Sequence, residues 1–307
     1  MLSPPLARAR ATVLAVEATT LGLAAGVALA LAIALILRPS AAIHLLRPVA
    51  TLGAAVATLG AMGTLLAHNL GLGARRVVVE ADADAPPGPP ATVPGTYLAA
   101  IGGALLAVGL FLASRAADGS ALGASEARDR AILCGLLAIA LQATLSWRAS
   151  AALGPSATPL AELLQPSAVA LLAGFGLTLV IGLVGESMTA ELTYELGAGT
   201  TMAALWATAT TGRVMRGVRL TLRRDREQGV TAPPVERALR HAALATLAGV
   251  LVPALVIAAN LATAHLNGVV LAGAALIVVG HPLRYALALC RLDAPEAPRC
   301  KSGLARL

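Results

Sequence analysis

Leu21-Gly-Leu-Ala-Ala-Gly-Val-Ala-Leu-Ala-Leu-Ala-Ile-Ala-Leu-Ile-Leu37 carries no polar side chain at any position, so hydrocarbon is as good a neighbour as water on every side of it. With the residues before it, the run covers 12–37. A helix needs roughly 20 mostly apolar residues, at ~1.5 Å rise each, to cross the ~30 Å core of a bilayer. Comparable runs recur at 41–67, 95–114, 131–152, 167–185, 190–211, 241–263 and 268–290; the sixth is the least apolar because it opens on Glu191 and Glu195. Hydrophobic residues make up 57% of the 307-residue chain and charged residues 13%, and the mean hydropathy is +0.79. Barrel strands would read as ~10-residue alternating segments. Backbone groups in lipid must be satisfied within their own segment, which leaves helices. The sequence thus predicts an all-α polytopic membrane protein of about eight transmembrane helices, one integral membrane domain over 1–307 built as two four-helix bundles.

Basic residues are placed asymmetrically. With eight spans, the N-terminus, the segments after spans 2, 4 and 6 and the C-terminus share a side. Of the 23 Lys and Arg residues, seventeen fall there, including Arg8, Arg10, Arg75, Arg76, Arg148 and eight arginines between 213 and 240. Five, namely Arg38, Arg47, Arg115, Arg128 and Arg130, fall on the other side, and Arg284 lies within span 8. The positive-inside rule places both termini in the cytoplasm and the protein in the cell's inner membrane. Arg8 and Arg10 ahead of a ~25-residue apolar run read as a retained signal anchor, since a cleaved leader has a shorter apolar core.

The glycines at Gly22-Leu-Ala-Ala-Gly26 and Gly102-Gly103 are expected at close helix contacts, where small residues let backbones approach. The acidic, proline-rich stretch Glu80–Pro90 cannot continue a helix. The cytoplasmic loop at 213–240 is basic, and Arg213, Arg216, Arg219 and Arg223 recur at three- and four-residue spacing, forming an arginine-rich helical face. Anionic lipid or an acidic partner subunit fits that face equally well. Nucleic acid does not, because aromatic residues are not interleaved with the arginines. Cys134, Cys290 and Cys300 form no metal-ligand spacing, so no bound metal is expected.

Ionisable groups in spans cost about 2.5–3.5 kcal/mol each at a helix centre, so each needs a reason. On the cytoplasmic side lie Glu17, His68, Asn69, Arg75, Tyr97, Gln142, Trp147 and Arg148, with His281, Arg284 and Tyr285 on one face of span 8. The opposite side holds His44, Arg47, Glu186, Glu191, Glu195, Asn260 and His265. The first set mixes acids, bases and hydrogen-bond donors from five helices, the composition of a polar pocket open to one face. His44 and His68 share span 2 but stand about 36 Å apart on helical rise, too far for a stacked haem pair. A haem between His68 and His281 stays open as a third reading, while none is expected bound.

Three stretches together resemble the membrane subunits of the polysulfide-reductase type (NrfD-like), which include the anchors of dimethyl-sulfoxide reductases. Leu21-Gly-Leu-Ala-Ala-Gly-Val-Ala-Leu is similar to the glycine-rich first helix of that family. Leu70-Gly-Leu-Gly-Ala-Arg75 is similar to its "LG-x-P-x-R" turn, with Gly73 where proline is usual and Asn69 where aspartate or histidine is common. Gly280-His-Pro-Leu-Arg-Tyr285 is similar to its "G-x-x-LRY" pattern. The resemblance implies a subunit without redox cofactors of its own, anchoring an iron–sulfur subunit and a molybdopterin catalytic subunit and binding quinol near that interface. It assigns His68 as proton acceptor and hydrogen-bond partner, Glu17 as proton route and Arg75 as orienting group, with Asn69, His281, Arg284 and Tyr285 completing the pocket. Arg213, Arg216, Arg219 and Arg223 would dock the partner. A transporter or channel is the alternative: Gly182–Gly185 and Pro253 would be its helix breaks, and Glu186, Glu191 and Glu195 would line a cation path.

Reporter fusions at Gly88 and Gln228 are expected to signal from the cytoplasm and one at Gly119 from outside. An outside signal at Gln228 would overturn this topology.

Overall fold

The computed structural model describes residues 4–69, 92–117, 121–153, 159–185, 189–227 and 250–263. Among these residues the regular elements are all helices: α1 (Pro4–Leu37), α2 (Pro39–Asn69), α3 (Thr92–Ala116), α4 (Ala121–Leu153), α5 (Pro159–Val184), α6 (Ala190–Glu227) and α7 (Val252–Thr263). Four apolar stretches are long enough to cross a membrane by length and composition, Thr19–Leu37, Pro39–Asn69, Gly95–Ala116 and Gly123–Ser146, and α5 adds the shorter Leu172–Val184. Among the described residues the protein is all-helical, and its apolar helices make it a membrane-embedded one. The eighth span expected at 268–290, the acidic stretch at 80–90 and the basic residues after Glu227 lie outside the described residues.

Several helix ends differ from the apolar runs for local reasons. A single residue, Arg38, separates α1 from α2, because Pro39 suits the first position of a helix, where its missing N–H goes unneeded. α4 starts ten residues before its apolar run. That polar first section is held by an ion pair between Arg130 and Glu126 one turn apart, and Arg130 Nη1 also donates to the Leu112 carbonyl of α3 at 3.2 Å. α6 continues without interruption past the expected end of its span to Glu227, carried by arginine and leucine, both good helix formers.

Helices α1–α4 close into a ring in which α1 packs on α2, α2 on α3, α3 on α4 and α4 on α1. α5 packs on α1 and the flank of α4, α6 on α5, and α7 on α6. Glycine contacts give the direction of each pair. Along α2 they meet α1 in falling order: a Cβ on Gly53 would touch Val27, and one on Gly60 would touch Leu21. The same reversal holds between α3 and α4, where Gly102 faces Leu141 and Gly109 faces Cys134. The bundle therefore runs up and down, with the start of α1, the end of α2, the start of α3 and the end of α4 at one end.

α1 is its axis. Leu21, Ala24, Ala25, Val27, Ala28, Ala30, Leu31, Ala34 and Leu35 are all buried. The outward sides of α2, α3 and α4 expose Leu59, Met62, Leu98, Ile101, Val108, Leu133 and Leu136, an apolar coat suited to acyl chains. Leu21 sits in a socket formed by two glycines: a Cβ on Gly60 would come within 2.6 Å of its Cδ2 and one on Gly103 within 2.7 Å. On the other side of α1, a Cβ on Gly174 would overlap the backbone of Gly26, so α1 and α5 cross with main chain against main chain. The expectation that Gly26, Gly102 and Gly103 serve close packing is met. Hydroxyls inside the helices satisfy themselves locally: Thr58, Thr64, Thr144, Thr178, Thr200 and Thr208 each donate to the carbonyl four residues earlier.

Gly174→Ala is expected to force α1 and α5 apart at a cost of about 1–3 kcal/mol, as overpacking does. Gly63→Ala, whose Cβ meets nothing within 4 Å, should instead stabilise by up to about 1 kcal/mol through helix propensity. Thermal unfolding in detergent reads both, and equal effects would overturn the packing assignment.

Candidate functional site

The end of the bundle formed by the start of α1, the end of α2, the start of α3 and the end of α4 collects polar side chains. His68, in the last turn of α2, meets Tyr97, in the second turn of α3, edge to face, with ring centroids 5.3 Å apart and an interplanar angle of 68°. His68 is half-buried and Tyr97 is 46% exposed, so the pair lies on the seam between α2 and α3, open to the side on which lipid would lie. Asn69 follows as the last residue of α2 and is exposed.

Inward from this pair, Thr64 and Thr96 are buried, and Thr64 returns its proton to the Gly60 carbonyl at 2.9 Å. On α4, Gln142 and Ser146 are buried one turn apart. Gln142 Nε2 donates to the Gly22 carbonyl of α1 at 3.2 Å, an interhelical bond between two neighbouring helices of the ring. Its Oε1 is buried and has no partner among the described residues. A buried acceptor left unpaired costs about 1–3 kcal/mol, so Gln142 marks a polar spot within the bundle. Of the buried polar residues described in α1–α4, Ser114 alone lies at the other end.

Five of the sequence candidates thus come to this end: His68, Asn69, Tyr97 and Gln142 by their side chains, and Glu17 by its place on α1, one turn before Leu21. Trp147 and Arg148 follow on the last turns of α4. Arg75, His281, Arg284 and Tyr285 lie outside the described residues. His44 stands at the opposite end of the unbroken α2 and is exposed. Sequence reasoning missed Thr64, Thr96 and Ser146, because it sorted ionisable groups and amides and passed over hydroxyls. The available signal was spacing: Thr64 precedes His68, and Ser146 follows Gln142, by one helical turn.

The other end holds a charged cluster. Arg38, between α1 and α2, donates from Nε to Glu195 Oε1 at 2.9 Å and pairs through Nη1 with Glu191 Oε2 at 3.3 Å. The hydrogen bond to Glu195 and the charges of Glu195 and Glu191 raise the guanidinium further above its ordinary value. Glu191 and Glu195 share the single positive charge of Arg38, Glu195 Oε2 is buried with no hydrogen-bond partner among the described residues, and α5 runs unbroken through Gly182 to Val184.

Arg213, Arg216, Arg219 and Arg223 are exposed on the continuation of α6, and none pairs with a carboxylate among the described residues. No protein-family model matches this chain, and no curated protein sequence matches it.

Gln142→Leu removes one interhelical hydrogen bond, worth about 0.6 kcal/mol in membranes, together with the unpaired acceptor. The two effects offset, so thermal stability in detergent should change by less than about 1 kcal/mol. A loss of several kcal/mol would show that Gln142 holds the bundle together.

Proposed function

We propose that this chain is the membrane anchor and quinol-reactive subunit of a multi-subunit oxidoreductase, passing electrons between quinol and an iron–sulfur partner that serves a molybdopterin catalytic subunit. In this reading it crosses the inner membrane eight times as two four-helix bundles, with both termini in the cytoplasm. The observation that carries the proposal is the pairing of His68 with Tyr97 on a lipid-facing seam, backed by buried polar groups on three helices. The three stretches similar to polysulfide-reductase-type subunits support it from sequence.

A quinol is soluble in lipid and reaches a site from the side, so a half-open seam between two helices suits it better than a closed cavity. Its oxidation releases two protons and two electrons. Its hydroxyls need acceptors, and a histidine takes a proton near neutral pH. His68 fills that role, with the Tyr97 ring against its own ring fixing its orientation and Asn69 beside it to hydrogen-bond the second oxygen. Glu17 gives the proton a route along α1, Arg75 orients the ring, and His281, Arg284 and Tyr285 close the pocket from the last span. Electrons pass to the partner's cluster, so this chain needs only to hold and deprotonate its substrate.

His68→Ala is expected to lower quinol-dependent turnover of the complex at least tenfold, about 1.4 kcal/mol of barrier. Activity with a dye that donates directly to the soluble subunits should be nearly unchanged. His44→Ala, at the far end of the same helix, should be mild. If His44→Ala abolishes quinol oxidation while His68→Ala is silent, the site lies at the other end of the bundle.

A further inference from the structure

α6 is too long for a bilayer core, and its two ends are charged in opposite senses. Over 38 continuous residues at ~1.5 Å each it extends about 57 Å, against ~30 Å of hydrocarbon and ~40–45 Å with headgroups. Its first turns are pinned at one end of the bundle by the ion pairs of Glu191 and Glu195 with Arg38. These charges belong at an interface, because even a paired ion loses much hydration in hydrocarbon. From Glu191, Arg213 stands about 33 Å along the helix and Arg219 about 42 Å, on helical rise. A tilt of ~20° shortens these by only about 6%. Counted from a hydrocarbon edge at Glu191, Arg213 and Arg216 therefore fall at the depth of the opposite headgroup layer and Arg219 just beyond its aqueous edge, within a side chain's reach of it.

The stripe has the chemistry for that depth. Arg213, Arg216 and Arg219 are exposed, lie on one side of α6 and have no carboxylate partner among the described residues. A guanidinium offers a planar fork of donors that matches a phosphate bidentately. Leu220, 58% exposed, lies on the same side, with Arg216 one turn before it and Arg223 one turn after it. An exposed leucine among arginines that have no carboxylate partner among the described residues matches the boundary between headgroups and acyl chains, where apolar and anionic groups meet. Met215 packs against the protein core, and Arg213 and Arg216 lie roughly 160° and 100° round the helix from it, so these two face away from the body while Arg219, one turn after Met215, borders the packed face.

We propose that Arg213, Arg216 and Arg219 form a binding stripe for the phosphates of anionic phospholipids in the leaflet opposite Arg38. This inference needs the membrane and the register of α6, and does not rest on the quinol reading.

The test uses the full chain purified in mild detergent with equimolar phosphatidylglycerol and phosphatidylcholine, and native mass spectrometry of the lipid retained. Phosphatidylglycerol should be held preferentially. Its retention should fall about fivefold for each arginine in the series Arg213→Gln, Arg216→Gln and Arg219→Gln. Arg128→Gln, at the other end of the bundle, should leave it unchanged. Equal retention by wild type and the triple variant would overturn the proposal. Depth is read separately with a fluorophore on Leu220→Cys in a Cys290→Ser, Cys300→Ser background, Cys134 being buried. Quenching by a headgroup-nitroxide lipid in nanodiscs is expected. An unquenched label would place the stripe in water, assign it to an acidic protein partner and overturn the lipid assignment.

Discussion

Where α1 crosses α5, Gly174 meets the main chain of Gly26 with no side chain between them, and on its other flank α1 places Leu21 between Gly60 and Gly103. Acyl chains are as apolar as leucine, so burying apolar area against another helix gains little over burying it in lipid. What remains is closeness of fit. Single dispersion contacts of ~0.1–0.2 kcal/mol add up only when many atoms touch, and a residue without a side chain lets whole backbones do so. The alanine- and glycine-rich composition is thus the physical basis of cohesion here. A central helix that is apolar on every side follows from it, because each side meets a different neighbour.

The same solvent governs where polar groups stand. Threonines in the helices return their protons to carbonyls one turn back and ask nothing of lipid. Groups that cannot satisfy themselves this way collect at the two ends: Arg38 with Glu191 and Glu195 at one, and His68, Tyr97 and Gln142 at the other. The ends differ in kind. Each end holds one buried oxygen without a partner among the described residues, Glu195 Oε2 at the first and Gln142 Oε1 at the second, but the first is an ion cluster whereas the second carries a half-open histidine–tyrosine pair. It is on the half-open pair at the second end that the proposed quinol reading rests.

Much of this was legible in sequence, for identifiable reasons. α2 and α3 match their apolar runs to within a few residues, because hydrophobic length sets a span. The clustering of His68, Tyr97 and Gln142 at one end followed from counting depth along alternating helices, which needs no knowledge of neighbours. What depth cannot supply is who meets whom. Arg38 and Glu195 are distant in sequence and were placed on the same side, yet their pairing depends on α5 and α6 folding back against α1. The long polar lead of α4 was missed as part of a helix because an apolar count stops where helix propensity does not, and the arginine stretch after 213, read as helical from its spacing, was not read as a continuation of the sixth span. Thr64 was passed over for the opposite reason, since a self-satisfied hydroxyl carries no cost that sequence reasoning would flag.

The order in which the chain is made gives the Gly26–Gly174 crossing a temporal side. α1 is complete at Leu37, but the helix that covers Gly26 ends roughly 150 residues later, which at ~5–20 residues per second is about 7–30 s of synthesis. Throughout that interval α1 can pair with α2 and then α4, while its glycine flank rests against lipid or whatever helix is nearby. Small-residue flanks are sticky toward other small-residue flanks. A newly made copy in the same patch of membrane therefore competes with α5 for that surface, and the yield of correctly closed molecules should depend on how crowded the insertion sites are.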